Sequence, residues 1–353
     1  MNRRQLLSLA ATAAAGPRRA PGMPNGRNAA GKPRNVLFLL SDQHKPHALG
    51  VDGHPVALTP NLDLLARSGT RFDSAYCADP ICAPSRASLL TGLYPHRHRV
   101  YSNTTAWPFE HKTIAHAFGR AGYMSALIGK MHFIDAQTHG FDYRLDFNDW
   151  LQYLGPKAKV FAAELGGPGS GSGLPQIDDL WRDFGDPWKE FRGKEHAAGG
   201  LPERDHFESF VARESVRFLR NHAGKQPFFL ISSFLKPHAP LTPAERFARM
   251  FRADQIRVPA TFGKVDPLSV SRDTAERIER YARNLSDSES VKQRIALYYS
   301  NLAQMDDAAG VILRSLRELE LEDDTIVVYT SDHGEMLGEH GLWQKFVFYE
   351  PSV

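Results

Sequence analysis

The segment Asn35–Asp42 reads NVLFLLSD, an apolar run that lacks the alternating polar residues of a half-exposed strand. Such a run is typical of a strand that is buried on both faces of a parallel sheet. The segment Thr325–Asp332 reads TIVVYTSD and repeats the pattern, again with an aspartate at its carboxyl end. These two segments predict two core strands of an α/β protein.

Strands and helices alternate along the rest of the chain. Apolar runs predict further strands at Tyr123–Ile128 and Phe228–Ser233. We expect a helix that is capped by Thr59, has Pro60 at its first position and stops near Gly69. Further helices are expected over Pro84–Thr91, Ile114–Arg120, Phe207–Asn221 and about Val291–Leu319. The alternation indicates a three-layer α/β/α sandwich whose central sheet is mostly parallel.

The first 32 residues are expected to be an export signal and a flexible tether. Arg3 and Arg4 precede a short apolar stretch, Leu6–Ala15, and this order is typical of a twin-arginine signal. A basic N-terminus without a targeting role is the alternative interpretation. The signal predicts that the protein works in the periplasm or outside the cell.

Composition excludes several classes of protein. The chain has 353 residues and a formal net charge of +3, which is too small to indicate a nucleic-acid partner. No apolar run approaches the roughly 18 residues of a membrane-spanning helix. Two cysteines are too few for a disulfide scaffold. We therefore expect residues 33–353 to form one folded domain of ordinary globular composition.

Residues 143–204 interrupt the α/β pattern. They contain the glycine-rich run Gly166–Gly173, followed by Trp181 and Trp188. We interpret this segment as an inserted surface excursion with a flexible loop. It is either a lid that carries substrate contacts or an insertion without a function.

The two strand-end aspartates predict a metal site. Ligands bind at the carboxyl ends of the strands in open α/β sheets, and two carboxylates brought together there repel unless a cation neutralises them. Asp42 and Asp332 would supply two ligands, and Gln43 and His333 are placed to complete the set. Three oxygen donors favour calcium or magnesium, and the histidine nitrogen shifts the preference towards manganese. The alternative is that each aspartate only caps the turn that follows its strand.

The segment from Cys82 reads CAPSRASLLTG and resembles a signature of the sulfatase family, in the alkaline-phosphatase-like superfamily. That signature is Cys-x-Pro-Ser-Arg followed by a helix that ends in Thr-Gly. Taken alone, Cys82 could also be a small buried residue at the start of a helix. Three further segments match family patterns in the expected order: GYMSALIGKMH at Gly122–His132, KPHAP at Lys236–Pro240 and SDHGEMLGEHG at Ser331–Gly341.

The resemblance implies an unusual nucleophile at Cys82. In the family, a formylglycine-generating enzyme oxidises this cysteine to an aldehyde, formylglycine. Its hydrate carries two hydroxyls on one carbon, and a metal lowers the pKa of the one that attacks sulfur and displaces the alcohol. The other hydroxyl then loses its proton, the carbonyl re-forms and sulfate leaves.

The resemblance also implies roles for other side chains. Lys130 and Lys345 are similar to lysines that contact the sulfate group, and Arg86 would complete a positive pocket with them. His132 is similar to a histidine that orients the formylglycine hydroxyl. His238 is similar to a histidine that faces the leaving group, and we expect it to protonate the departing alcohol.

The chain departs from the family pattern in two places. Many members have two aspartates after the first strand, whereas this chain has Asp42-Gln43 and so resembles bacterial choline-sulfatase-like and phosphonate-monoester-hydrolase-like members. Asn103 resembles an anion-contacting asparagine of that branch. The sequence ends at Val353, whereas family members usually continue into a small C-terminal subdomain. We therefore expect that subdomain to be absent and the chain to be truncated.

These patterns together predict hydrolysis of a sulfate ester to an alcohol and inorganic sulfate. The substrate would be a sulfated small molecule or carbohydrate, and calcium is the expected metal, with magnesium and manganese as alternatives. One rival is a hydrolase of phosphate or phosphonate esters on the same scaffold, although Cys82 in place of serine or threonine favours sulfate. Another is a truncated, non-catalytic remnant. Aryl, choline and carbohydrate sulfates all remain open as substrates.

Overall fold

The computed structural model describes residue 31 and residues 34–108, 110–133, 137–158, 200–264, 270–284 and 288–353. They form a five-stranded sheet in which every neighbouring pair of strands is parallel, in the spatial order β3-β2-β4-β1-β5. The strands are β1 (Asn35–Asp42), β2 (Met124–Gly129), β3 (Tyr143–Leu145), β4 (Phe228–Pro237) and β5 (Thr325–Ser331). The predicted parallel α/β sheet is confirmed.

The described helices connect the strands and surround the sheet. They are α1 (Pro60–Ser68), α2 (Cys82–Thr91), α3 (Pro95–His98), α4 (Ile114–Arg120), α5 (Phe147–Leu154), α6 (Phe207–His222), α7 (Glu245–Ala248), α8 (Arg272–Asn284) and α9 (Ser288–Glu318). None of these helices combines the length and the apolar character that a membrane span requires.

Alternate residues of the central strands pack on opposite faces of the sheet, as the pleat requires. Leu230 of β4 joins the larger apolar cluster, which includes residues of α6 and α9. Phe229 and Ile231 join a second cluster on the other face, which includes residues of α2 and α4. Burial on both faces explains why β1 and β4 are nearly continuous apolar runs.

The predicted start of the insertion at residue 143 is wrong. Residues Tyr143–Leu145 form the edge strand β3 and pair in register with Ala126–Ile128 of β2. The next segment forms α5, which buries Trp150 in the larger cluster. The glycine-rich run, Trp181, Trp188 and the predicted export signal lie outside the described residues.

One predicted helix start and one predicted cap change. Helix α2 begins at Cys82 rather than at Pro84, so the proline occupies its third position. Thr59 lies at the N-cap position of α1, but its hydroxyl donates to the Asp63 carboxylate 2.9 Å away. The cap is supplied from far along the chain, because the Asp306 carboxylate of α9 accepts the backbone N–H groups of Asn61 and Leu62 at 3.1 and 2.8 Å.

Replacing Asp306 by alanine should therefore destabilise the fold. Asp306 is buried and also accepts a hydrogen bond from Asn61 Nδ2 at 2.8 Å, so the substitution leaves several donors without an acceptor. We expect a loss of about 1–3 kcal/mol in the free energy of unfolding, measured by urea denaturation. The matched control is Asp307→Ala, which removes only a half-exposed ion pair with Arg246 and should change stability by less than about 1 kcal/mol. Equal losses in the two variants would contradict the capping role.

Candidate active site

The site begins with two aspartates at the carboxyl ends of adjacent strands. Strands β1 and β5 are parallel and paired through Ser41 and Ser331, so Asp42 and Asp332 emerge side by side. Each aspartate is at most 1% exposed to solvent. The structure thus brings together the two carboxylates that the sequence predicts to meet.

Arg86 connects these two carboxylates. Its Nε donates to Asp332 at 2.8 Å and its Nη2 donates to Asp42 at 3.2 Å. Its Nη1 donates to the Lys130 carbonyl at 2.7 Å and to the Ser233 hydroxyl at 2.9 Å. The sequence predicts Arg86 in an anion pocket, but the structure places its guanidinium on the aspartates, where it neutralises and orients them.

Cys82 is the first residue of α2 and is fully buried beside the aspartates. Its Sγ lies 2.7 Å from Lys345 Nζ, 3.7 Å from Lys130 Nζ and 3.2 Å from His333 Nε2. Burial alone would raise the pKa of the thiol, but the charges of Lys130 and Lys345 lower that pKa well below its usual value. The position therefore favours a negatively charged group.

A glycine allows Lys130 to reach this position. Gly129 ends β2 with a φ of +113°, and a Cβ there would lie 1.9 Å from the Ser233 carbonyl oxygen of β4. Only glycine can adopt this backbone so close to the neighbouring strand. The chain then turns inward, and the buried Lys130 ammonium forms an ion pair with Asp42.

His333 presents a defined nitrogen to the site. Its Nδ1 is 2.9 Å from the Gly334 carbonyl, which assigns the ring proton to Nδ1. The other nitrogen, Nε2, then has a free lone pair that can bind a metal. Nε2 lies 3.7 Å from Asp42 Oδ1 and 3.6 Å from Asp332 Oδ1.

These residues fit a divalent cation. Ligand atoms of Asp42, Asp332, His333 and Cys82 all lie within 4.8 Å of one another. Gln43 Oε1 is buried and has no hydrogen-bond partner among the described residues, so it is an oxygen available for a cation. Oxygen donors with one imidazole suit a hard or borderline divalent metal, a class that includes calcium, magnesium and manganese.

The two predicted catalytic histidines both interact with Cys82. Burial lowers the pKa of His132 to about 4, and the neighbouring Cys82 side chain opposes that shift. Burial also lowers the pKa of His238, as do the charges of Lys345 and Lys130. The His238 backbone N–H donates to the Asp42 carbonyl at 3.1 Å, which fixes this loop against the end of β1.

Asn103 lies beside the first turn of α2, next to Cys82. Its Oδ1 accepts the Ala83 backbone N–H at 3.0 Å, so it satisfies one of the donors that a helix leaves free at its N-terminus. This contact gives Asn103 a local structural role that the sequence does not reveal.

Several residues of the site make contacts that the sequence does not reveal. The Ser85 hydroxyl hydrogen-bonds the Asp332 carbonyl, and Ser233 supports Arg86. The Tyr298 hydroxyl donates to the Gln43 carbonyl at 2.7 Å, and Glu335 accepts a hydrogen bond from the Gln43 side chain. Glu335 belongs to the motif that contains His333, but the motif does not show what its carboxylate contacts.

The two cysteines should titrate very differently in a chain whose Cys82 is unmodified. Burial raises the pKa of the Cys77 thiol to about 12, whereas the lysines beside Cys82 lower the pKa of its thiol well below the usual value, so Cys82 should ionise at a much lower pH than Cys77. Thiolate absorbance followed against pH measures both groups, and Cys82→Ser identifies the signal. Lys345→Met should raise the Cys82 pKa by about 1 unit or more, because it removes the nearest cation. The control Lys264→Met changes an exposed lysine and should leave both titrations unchanged. If Cys82 titrated at the same pH as Cys77 or above it, the geometry would be contradicted.

Comparisons with known proteins agree with this site. The family model described as Sulfatase matches residues 34–351. The chain is 31% identical over 339 residues to an arylsulfatase of Clostridium perfringens, and the aligned region covers 90% of this chain and 66% of that protein. It is 32% identical over 340 residues to a choline-sulfatase of Rhizobium meliloti, and the aligned region covers 92% of this chain and 61% of that protein.

A solved structure shows the same fold. The phosphonate monoester hydrolase of Agrobacterium radiobacter matches with a TM-score of 0.69 and 25% identity, over 90% of this chain and 66% of that one. The chain spans about two thirds or less of the length of these relatives. Because the family model covers almost the whole described fold, including every side chain of the site, this chain belongs to the sulfatase family.

Proposed function

We propose that this chain hydrolyses a sulfate ester, with Cys82 converted to formylglycine and one divalent metal held by Asp42, Gln43, Asp332 and His333. The observation that carries the proposal is the position of Cys82 Sγ, which is buried among two lysines, a histidine and the paired aspartates. The named sulfatase relatives support the same reaction. A formylglycine-generating enzyme is then a required partner.

The metal, when bound, supplies a Lewis acid that lowers the pKa of a formylglycine hydroxyl and attracts the sulfate oxygens. Calcium is our first choice because most of the proposed ligands are oxygen atoms. Lys130 and Lys345 place two ammonium groups within 3.7 Å of the nucleophile position, where they would balance the charge of the sulfate group.

His238 is our candidate for the general acid. Its Nδ1 is 2.6 Å from the Ala239 carbonyl, so one ring proton is held there, and His238 would act as the acid in its imidazolium form, which carries a second proton at Nε2 for the departing alcohol. As the sulfur–oxygen bond to the alcohol breaks, that proton neutralises the alkoxide. His132, in contact with the Cys82 side chain, would orient the hydrate.

A phosphate or phosphonate ester hydrolase is the second candidate, favoured by the likeness to the phosphonate monoester hydrolase. A second metal site would strengthen it. The described residues contain one cluster of potential metal ligands, and a cysteine occupies the nucleophile position. These observations favour the sulfate ester.

The twin-arginine pattern supports a further part of the proposal, namely that the protein is exported to the periplasm or beyond. The substrate would then be a sulfated small molecule or carbohydrate from outside the cytoplasm.

Mass spectrometry of the tryptic peptide Phe72–Arg86 tests the proposal. The protein should be made in a host that has formylglycine-generating machinery. We expect Cys82 to appear as the aldehyde and Cys77, in the same peptide, to remain a thiol. If Cys82 stays a thiol while a known sulfatase is converted in that host, the proposal fails.

The role of His238 predicts a dependence on the leaving group. His238→Ala should lower kcat by about 10²- to 10⁴-fold for an alkyl sulfate, whose alcohol is a poor leaving group and needs a proton. It should lower kcat much less for nitrophenyl sulfate, whose phenolate leaves readily. The control His96→Ala changes an exposed histidine and should affect neither substrate. Equal losses on both substrates would show that His238 does not act as the general acid.

A further inference from the structure

Glu335 occupies a buried position directly beside the proposed metal ligands. Its side chain is 3% exposed, and it contacts three hydrogen-bond donors. Oε1 accepts the backbone N–H groups of Leu337 at 2.8 Å and Gln344 at 2.5 Å, and Oε2 accepts Nε2 of Gln43. Both oxygens therefore act only as acceptors, which a carboxylate can do and an amide cannot.

This contact determines how the Gln43 amide is oriented. The Gln43 backbone is held at both ends, since its N–H donates to Asp332 Oδ1 at 3.1 Å and its carbonyl accepts from Tyr298. The side chain can still present either its oxygen or its nitrogen to the site by rotating its amide group. Because Nε2 of Gln43 donates to Glu335, Oε1 points to the other side of the amide. Oε1 is buried and has no hydrogen-bond partner among the described residues.

We propose that Glu335 is a positioning residue that keeps Oε1 of Gln43 turned towards the cation. The inference rests on the proposed metal site and assigns a role to a residue that would not touch the metal. A glutamine in place of the more common aspartate ligand can present either an acceptor or a donor, so it needs a neighbour that fixes its orientation.

The substitution Glu335→Gln turns this requirement into a test. The two backbone N–H groups of Leu337 and Gln344 should retain the oxygen of the new amide. The NH₂ group of the new glutamine would then face the NH₂ group of Gln43. A hydrogen bond between the two side chains could form only if the Gln43 amide rotated by about 180° and presented its oxygen to residue 335. That rotation would point the NH₂ group of Gln43 at the cation, and an NH₂ group cannot be a ligand.

A second substitution should reverse the effect. In the Glu335→Gln background, Gln43→Glu supplies a carboxylate that accepts the new NH₂ group with one oxygen and faces the metal with the other. In the native background, the same Gln43→Glu change places two carboxylates in contact with no donor between them and should weaken binding near pH 8. The sign of the Gln43→Glu effect therefore depends on residue 335.

Calorimetric titration of the purified chain with Ca²⁺, and in parallel with Mn²⁺, measures this cycle without using enzyme activity. We expect Glu335→Gln to raise Kd by about 10- to 100-fold and the double variant to recover most of that loss. Glu339→Gln is the matched control, because Glu339 in the same loop pairs with Lys45 at 2.5 Å. Circular dichroism and a thermal melt confirm that each variant is folded.

The outcomes separate this inference from the proposed function. A parent chain that binds neither cation would overturn both. A parent chain that binds, with Glu335→Gln within twofold of it, would overturn only the role of Glu335. The same follows if Gln43→Glu changes Kd by a similar factor and in the same direction in both backgrounds. If Glu335→Gln alone does not fold, the double variant decides, because the inference requires it to bind more tightly than Gln43→Glu alone.

Discussion

Two buried carboxylates at the ends of adjacent parallel strands are the constraint on which the rest of this site depends. Asp42 and Asp332 are shielded from water, and their mutual repulsion is strong in such an environment. The Arg86 guanidinium bridges them, and Lys130 pairs with Asp42. Neutralisation within the chain thus holds the aspartates where a divalent cation would add further positive charge.

The scaffold around these charges fixes each group through contacts that are distant in sequence. Helix α2 carries both Cys82 and Arg86 at the strand ends, so the Cys82 side chain and the carboxylates are positioned together. The loop that carries His238 is held from α9, because Asn301 donates to the Pro240 carbonyl at 3.0 Å and accepts from Lys236 at 2.9 Å. The geometry of the site therefore depends on the sheet and on helices from both of its faces.

Much of this arrangement could be predicted from the sequence, because parallel strands deliver their carboxyl ends to one edge. That rule placed Asp42 beside Asp332, and local motifs identified Cys82 and His333. The edge strand β3 was missed because three residues carry too short a pattern to recognise. The bridge that Arg86 forms between the two aspartates and the contact of Glu335 with Gln43 cannot be predicted from the sequence, because each depends on pairings across the fold that no local pattern encodes.

Anomalous diffraction from crystals of the manganese-loaded chain, made in a host that converts Cys82, tests the central claim most directly. The geometry predicts one strong peak bounded by the carboxylates of Asp42 and Asp332, His333 Nε2 and Gln43 Oε1, adjacent to the modified side chain at position 82. A manganese ion at another place, or no peak among these four side chains at saturating manganese, would contradict a metal-dependent site built on the paired aspartates.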